Sequence, residues 1–411
     1  MDTALFLDIL KIDSTSGREG ELADFLADRL VTASCSLVRF DNDGNVAAGD
    51  AVVRTSGAPG EDVLVGGAGA SNLLLVWGEP KVVFCTHMDT VPPYIPPVIS
   101  SEAPSVISSE VEKSIPQTIH GRGTCDAKGQ LIAMYEACLE LERRGCTDFA
   151  LLLLTGEETG SFGAKAFNRI ASEILPSVGD AWLVVGEPTD NAMASAAKGT
   201  KAFEVEFSGV AFHSGYPEYG QSAVMMFNDF VNALRSIGFP HDETLGQTTW
   251  NIGRLHSDNP QNILSDSLTC RVYFRTTFES DEMVCNVMKN MAGPDARLRF
   301  GRPKVQDGSD IVAKEVAQWQ KSMKVTALGG DSPTRFDVLA GFRSKPVSFG
   351  SDAPQLTCFP HRILCGPGSI LVAHRDNEHI RLEDLAAATE NYVNIYDRII
   401  CRDKASVQEN P

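Results

Sequence analysis

Several short stretches of this 411-residue chain carry residues whose types and spacing suit metal-assisted or acid–base chemistry. The first ends an apolar run, Val82-Val83-Phe84-Cys85, with Thr86-His87-Met88-Asp89. In an extended segment, positions two apart point to the same side, so His87 and Asp89 can sit together with the carboxylate orienting the imidazole. Taken alone, such a pair says little. The second stretch, GRGTCDAKG, begins like a dinucleotide fingerprint but puts Asp126 where the third glycine belongs. An acid there would repel a pyrophosphate, so a turn presenting Asp126 as a metal ligand fits better. The third runs four leucines, 151–154, into Gly156-Glu157-Glu158. Adjacent carboxylates raise each other's pKa unless something positive lies between them. The fourth, Gly186-Glu187-Pro188-Thr189, again follows an apolar run, and the last holds Gly366-Pro367-Gly368-Ser369, Ala373-His374 and Asn377-Glu378.

Together these stretches offer imidazoles and carboxylates with no cysteine in a ligand position. That inventory suits a hydrolytic zinc or cobalt site and argues against a structural zinc site. Three carboxylate ligands, two imidazoles and a hydroxide would roughly neutralise two divalent ions. The positive partner of the paired glutamates would then be a metal. No G-x-S-x-G stretch marks a serine nucleophile.

The surrounding patterns indicate how these residues are held. Ser16-Gly17-Arg18-Glu19 has capping-box spacing and opens a helical pattern to about Leu30. Further on, strands are expected at 81–85, 149–154 and 182–185, alternating with helices at 128–144 and 164–175. This alternation indicates an α/β domain, a mostly parallel sheet covered by helices, whose ligands bind beyond the carboxyl ends of the strands. From about Ala202 the style changes: alternating strands at 202–208 and 268–276 flank a helix at 222–237, reading as a smaller inserted α+β domain. The first style then returns and closes on a helix at 382–399. The expected division is a catalytic domain of 1–199 with 304–411, and an inserted domain of 200–303. Two stretches stand apart: a Gly/Ala-rich loop or hairpin excursion at 49–71, and a Pro/Ser/Glu-rich insertion at 92–117 with VISSE repeated at 98–102 and 106–110. The insertion has little to bury and is expected to be exposed and mobile.

Composition limits the partners. With 36 Lys and Arg against 54 Asp and Glu, the net charge is −18, which opposes nucleic acid or an anionic membrane as a partner. No apolar run approaches a membrane span, and the amino-terminal residues do not read as a signal peptide. The ten scattered cysteines, with no CxxC, fit reduced thiols in a cytoplasmic protein.

The ordered set THMDTVP, GRGTCDAKG, GEETG, GEPTD, FHSG and GPGS…AH…NE resembles the M20 metallopeptidase family. That family includes acetylornithine deacetylase, succinyl-diaminopimelate desuccinylase, aminoacylase and carboxypeptidase-like members. The resemblance covers nearly the whole chain. It implies a catalytic domain carrying two divalent ions, zinc or else cobalt, and a lid domain that mediates homodimerisation. Carried over by motif, His87, Asp126, Glu158, Glu187 and His374 are metal ligands, with Asp126 bridging and Asp89 orienting His87. Glu157 is then the general base that activates a metal-bridging water and passes the proton to the leaving amine. His213 of FHSG matches a histidine that reaches a neighbouring subunit's site and stabilises the oxyanion. Asn262, Arg275 and the turn at Gly350-Ser351-Asp352 fall where the family contacts substrate, and an arginine suits a free α-carboxylate. Arg122 and Lys128 read as structural to their turn, and Arg271 and Arg275 can equally be solvated strand residues.

The function implied is hydrolysis of the amide bond of an N-acyl amino acid, as in acetylornithine deacetylase. The alternative is a dipeptidase or carboxypeptidase-like peptidase using the same site and acting on short peptides. A non-catalytic metal-binding protein is disfavoured because every expected position is filled.

Overall fold

The computed structural model describes residues 1–46, 71–101, 117–291 and 323–408. The Gly/Ala-rich stretch at 49–71 and the second VISSE copy therefore fall outside the described residues, apart from Ser71. Two compact units emerge: Met1–Ser195 with Phe336–Lys345 and Ser351–Pro411, and Ala196–Arg335 with Pro346–Gly350.

The larger unit begins with helices α1 (Thr3–Lys11) and α2 (Gly20–Arg29). Asp2 caps α1 by accepting from the Leu5 amide at 2.9 Å. The capping-box expectation at Ser16 is not met: α2 starts after Glu19 with no side-chain cap. The Ser16 hydroxyl donates to the Asp89 carboxylate at 2.8 Å, so the serine is committed to a strand end and cannot serve the helix. Strands β1 (Ser36–Phe40), β2 (Asn72–Gly78) and β3 (Val82–His87) follow. Next come α3 (Lys128–Arg143), β4 (Asp148–Leu154), α4 (Phe162–Ile174) and β5 (Trp182–Val185). A left-handed Gly145, φ +78°, follows α3 and turns the chain back toward β4.

The described part of the insertion is more ordered than its composition suggests. Val98–Ser101, most of the first VISSE copy, pairs antiparallel with Gln117–His120, which pairs in turn with His379–Arg381. Val-Ile is a strand-forming pair, and an available backbone partner outweighs the polar surroundings. Val98 and Ile99 nevertheless remain exposed, as expected.

The smaller unit is built on strands β6 (Gly199–Ser208), β7 (Thr249–His256), β8 (Ser267–Thr276) and β9 (Met323–Gly329), in the order β7-β8-β6-β9. All three pairings are antiparallel. Helices α5 (Ala223–Arg235) and α6 (Asp281–Met291) pack on one face. There Phe203, Val205, Phe207, Cys270, Val272 and Phe274 form a core with Met226, Phe230, Leu234, Val284 and Met288. The alternate residues Glu204, Glu206, Arg271 and Lys324 face water and pair across strands, Arg271 with Glu204 at 3.3 Å and Lys324 with Glu206 at 2.7 Å. Because β9 adds to this sheet, the smaller unit continues past residue 303.

The chain then returns to the larger unit as β10 (His361–Leu364) and α7 (Leu382–Gln408). The larger sheet has the order β1-β2-β4-β3-β5-β10. β4, β3, β5 and β10 run parallel, and β1 and β2 are antiparallel additions at one edge. Leu73, Leu75, Phe84, Leu151, Leu153 and Val184 pack with residues of α1, α2, α3 and α7. The alternate residues Leu74, Val83, Leu152, Leu154 and Leu183 are equally buried. A sheet covered on both faces explains why its strands read as continuous apolar runs. Its parallel strands end together, and those ends carry His87, the Glu157-Glu158 pair and Glu187.

Candidate metal centre

His87 is the last residue of β3 and is 1% exposed. Its Nδ1 lies 2.9 Å from the main-chain oxygen of Asp89 and 3.5 Å from that residue's carboxylate. The carbonyl is thus the closer orienting partner, and an Nδ1–H donated to it leaves the Nε2 lone pair for a ligand. Nε2 sits 3.1 Å from Asp126 Oδ1. Burial disfavours a charge on His87, but Asp126 and Asp89 outweigh it and raise the imidazole well above its usual range.

The Asp89 carboxylate has a wider role than orienting a histidine. It accepts from the backbone amides of Glu157 at 3.0 Å and Glu158 at 3.2 Å, as well as from Ser16. Burial opposes its charge, yet His87, Ser16 and the Glu157 amide hold the carboxyl below its usual value. Asp89 therefore ties the end of β3 to the turn after β4. That turn needs Gly156, whose φ of +72° lies in the left-handed region. A β-carbon there would come 2.8 Å from Phe162 Cδ2.

Asp126 stands at the start of α3, with Oδ1 toward His87 and Oδ2 3.2 Å from His374 Nε2. His374 Nε2 also lies 2.8 Å from Glu158 Oε1. Between Asp126 and Glu158, the His374 imidazole is raised to about 10. Its φ of +62° is an uncommon backbone conformation for a non-glycine residue. Asp126 is driven the other way: burial opposes its charge, but His374 and His87 hold it well below the carboxylate range.

Two ligand groups result. Donor atoms of His87, Asp126 and Glu187 all lie within 4.8 Å of one another, and those of Asp126, Glu158 and His374 do so too. Asp126 belongs to both. Glu187 is pushed well up by burial first, then by Asp126, Glu157 and Asp352, against the pull of His87. Glu157 is also raised well above the usual range, by burial and then by Asp352, Glu158 and Asp126, again opposed by His87. Glu157 belongs to neither ligand group and keeps part of its surface open. So many carboxylates around two imidazoles, all oxygen and nitrogen donors, fit a pair of divalent cations.

The structure brings the metal-site candidates of the sequence together, adds Ser16 to them, and gives specific contacts to Asp352 and Glu378, which the sequence offered only as parts of motifs. Ser16 was hidden by its resemblance to a helix cap. Asp352, 2% exposed, follows the Gly350 turn and acts on Glu157 and Glu187. Glu378, part of the Asn377-Glu378 motif, is fully buried and accepts from the amides of Cys125 and Asp126. Burial pushes its carboxyl up against the pull of those two amides and Arg122. Lys128 donates to the carbonyls of Ile9 and Ile12 at 3.3 and 2.7 Å, anchoring the end of α1.

His213, Asn262, Arg275 and Gly350 all lie in the smaller unit. His213 bridges to Ile263, and the Asn262 carbonyl accepts from Ser214 at 2.9 Å, so the first two share a loop pair. Arg275 stacks over the Tyr273 ring at 5.0 Å, and Gly350 lies against its guanidinium.

A profile of Peptidase family M20/M25/M40 matches residues 83–398. The chain belongs to that family. Its members' fold recurs in a Staphylococcus aureus tripeptidase, with a TM-score of 0.68 at 19% identity over 96% of this chain and 97% of the other. It recurs also in a dinuclear metal-binding M20 peptidase of Bacillus subtilis, with a TM-score of 0.56 at 11% identity over 95% of each chain. A probable carboxypeptidase of Emericella nidulans is 30% identical over 95% of this chain and 87% of its own length. This M20 chain is thus a hydrolase of the metallopeptidase class with the α/β architecture of its family. Among its described residues no helix is long and apolar enough to cross a membrane.

Proposed function

We propose that this M20 chain hydrolyses the amide bond that joins an acyl or peptidyl group to a residue bearing a free carboxylate. A carboxypeptidase-like or dipeptidase reaction and the deacylation of an N-acyl amino acid share this chemistry, since both break the carbonyl C–N bond and release the amino acid with a free amine. The carboxypeptidase-like reading is put first because a curated relative at 30% identity carries that name. The acetylornithine-deacetylase reading stands second, supported by the same site. The observation that carries the proposal is the pair of ligand groups sharing Asp126, with Glu157 beside them and in neither.

His87, Asp126 and Glu187 would hold one divalent cation, and Asp126, Glu158 and His374 the other. Zinc is the proposed ion and cobalt the alternative. When bound, such ions act as Lewis acids toward the scissile carbonyl and acidify water. Glu157 accepts at Oε the proton that the attacking water loses as its oxygen bonds to the carbonyl carbon. As the C–N bond breaks, the same carboxyl returns that proton to the leaving nitrogen. Asp89 keeps Glu157 in place by holding its amide, and the apolar ends of β3, β4 and β5 keep bulk water from the buried ligands His87, Asp126 and Glu187. Arg275 is the proposed partner of the substrate carboxylate, with Asn262 and the turn at Gly350 as further contacts. His213 is the proposed oxyanion donor.

A homodimer through the smaller unit is part of this reading. It is supported by the exposed edge strand β7 and by exposed Val224, Met225 and Leu255. The ten free cysteines support a reducing, cytoplasmic setting.

The test is a substrate panel for the zinc- or cobalt-loaded protein: N-acetylornithine, other N-acyl amino acids, dipeptides, and peptides with free or amidated carboxyl ends. Turnover of peptides with free ends is expected, and amidation should abolish it. Cleavage of amidated peptides as fast as free ones would refute the carboxylate requirement. Turnover of N-acyl amino acids alone would reverse the order of the two readings.

A further inference from the structure

Oε1 of the buried Glu378 accepts from the amides of both Cys125 and Asp126, at 3.0 and 3.1 Å. Its Oε2 takes Arg122 Nη1 at 2.6 Å, and Arg122 is only 2% exposed. Arg122 also donates from Nε to the Pro93 carbonyl at 3.2 Å and from Nη1 to the Arg375 carbonyl at 3.4 Å. The Arg122 amide reaches the Ile95 carbonyl at 3.0 Å, and the Gly121 amide reaches the Glu378 carbonyl at 2.9 Å. One buried ion pair therefore joins three stretches: the segment beyond Asp89, the turn that presents Asp126, and the loop that bears His374.

Such a pair is an inefficient way to stabilise a fold, because apolar replacements of similar volume commonly do as well. Its geometry has another consequence. Two consecutive amides held by one carboxylate oxygen fix the peptide plane from which the Asp126 side chain projects. Asp126 must turn Oδ1 to His87 and Oδ2 to His374. The two ligand groups do not depend on this equally. His87 ends a strand paired on both sides, and Glu187 closely follows another. His374 lies in a loop at φ +62° and is tied to the Asp126 turn through Glu378, four residues further on.

We infer that Glu378, itself set by Arg122, is a positioning residue that fixes Asp126 as the shared ligand and so builds the second cation position, that of Asp126, Glu158 and His374. The inference rests on the proposed reading of those groups as metal ligands. It assigns the work to the acceptor oxygen of Glu378, with the charge of the pair serving to hold that oxygen.

The test compares Gln and Met at position 378 with the arginine removed in both, so that neither variant buries an unpaired charge. Metal-free full-length wild type, Arg122→Met/Glu378→Gln and Arg122→Met/Glu378→Met are titrated with Co2+. Calorimetry gives stoichiometry and affinity, and visible absorption reports each ion's coordination. The Gln variant keeps an acceptor for the two amides and is expected to bind both ions within a few-fold of wild type. The Met variant is expected to bind the first ion comparably and the second about 10- to 100-fold more weakly, the range for losing a group that orients a ligand. A purely structural brace would weaken both ions alike, or neither. Gln and Met variants that bind the second ion equally therefore overturn the assignment. Should the Met variant not fold, Arg122→Met/Glu378→Ala takes its place, because it too lacks a side-chain acceptor for the two amides. It is expected to weaken the second ion and spare the first, and unchanged binding of both overturns the inference. A wild-type chain that takes up fewer than two Co2+ ions refutes the two-cation reading itself, and the assignment falls with it.

Discussion

At Glu157 the chain places a carboxylate that burial and neighbouring acids push toward its protonated form. One residue on, Glu158 Oε1 sits 2.8 Å from His374 Nε2. The two side chains therefore have different partners although their backbones are fixed by one carboxylate, that of Asp89. On the proposed assignment, Glu157→Gln should lower kcat by about 10²- to 10⁴-fold, the usual worth of a general base, with both ions still bound. Elemental analysis beside steady-state kinetics checks it, and full activity in that variant would remove Glu157 from the reaction. Glu158→Gln should lose the ion shared with His374 and retain the other, so its metal content should fall toward half. At this scale the sequence was informative about His87, the glutamate pair and Glu187, because the ends of parallel strands meet on one side of a sheet, whereas Asp126 and His374 were legible only through the motif resemblance. It was silent about what holds them. Neither the three donors to Asp89 nor the pairing of Glu378 with amides more than 250 positions earlier has a local signature.

The elements that carry these residues were legible where punctuation and burial agreed. Trp182–Val185 is a fully buried strand closed by glycine, and α3 ends where Gly145 takes a left-handed conformation. Ser16 shows the opposite case: capping-box spacing is satisfied locally, but a buried carboxylate competes for the hydroxyl and wins. The end of the smaller unit was also hidden, since β9 joins through pairing with β6, more than 100 residues earlier. Gly156 is the element-level joint between β4 and the glutamate pair. Gly156→Ala should cost about 1–2 kcal/mol from its left-handed backbone alone, with more from the approach to Phe162. A urea titration should show the loss. Activity should fall further than stability accounts for, because the displaced turn carries both Glu157 and Glu158. A variant with unchanged stability would show that the turn tolerates a β-carbon and that the glycine is not required by its φ.

For the whole molecule, gathering Asp126, Glu157, Glu158 and Glu187 beyond the carboxyl ends of the strands sets their mutual repulsion against the fold, and among the described residues His87 and His374 are the imidazoles that offset it. Cations that bind this arrangement and not the unfolded chain must stabilise it by mass action. A free concentration a hundred times Kd adds about 2.7 kcal/mol for one site. Zinc or cobalt should therefore raise the melting temperature of metal-free protein, and a chelator should reverse the gain. Asp126→Asn should abolish most of the effect, since that residue serves both groups, whereas Glu157→Gln should preserve it. Hydrogen exchange can locate the gain: protection on adding metal is expected in the turns around Gly156 and Asp126 and in the loop bearing His374. Metal that raises the melting temperature of wild type and Asp126→Asn alike would place the binding elsewhere and break the link between the acidic cluster beyond the strand ends and the chemistry assigned to it.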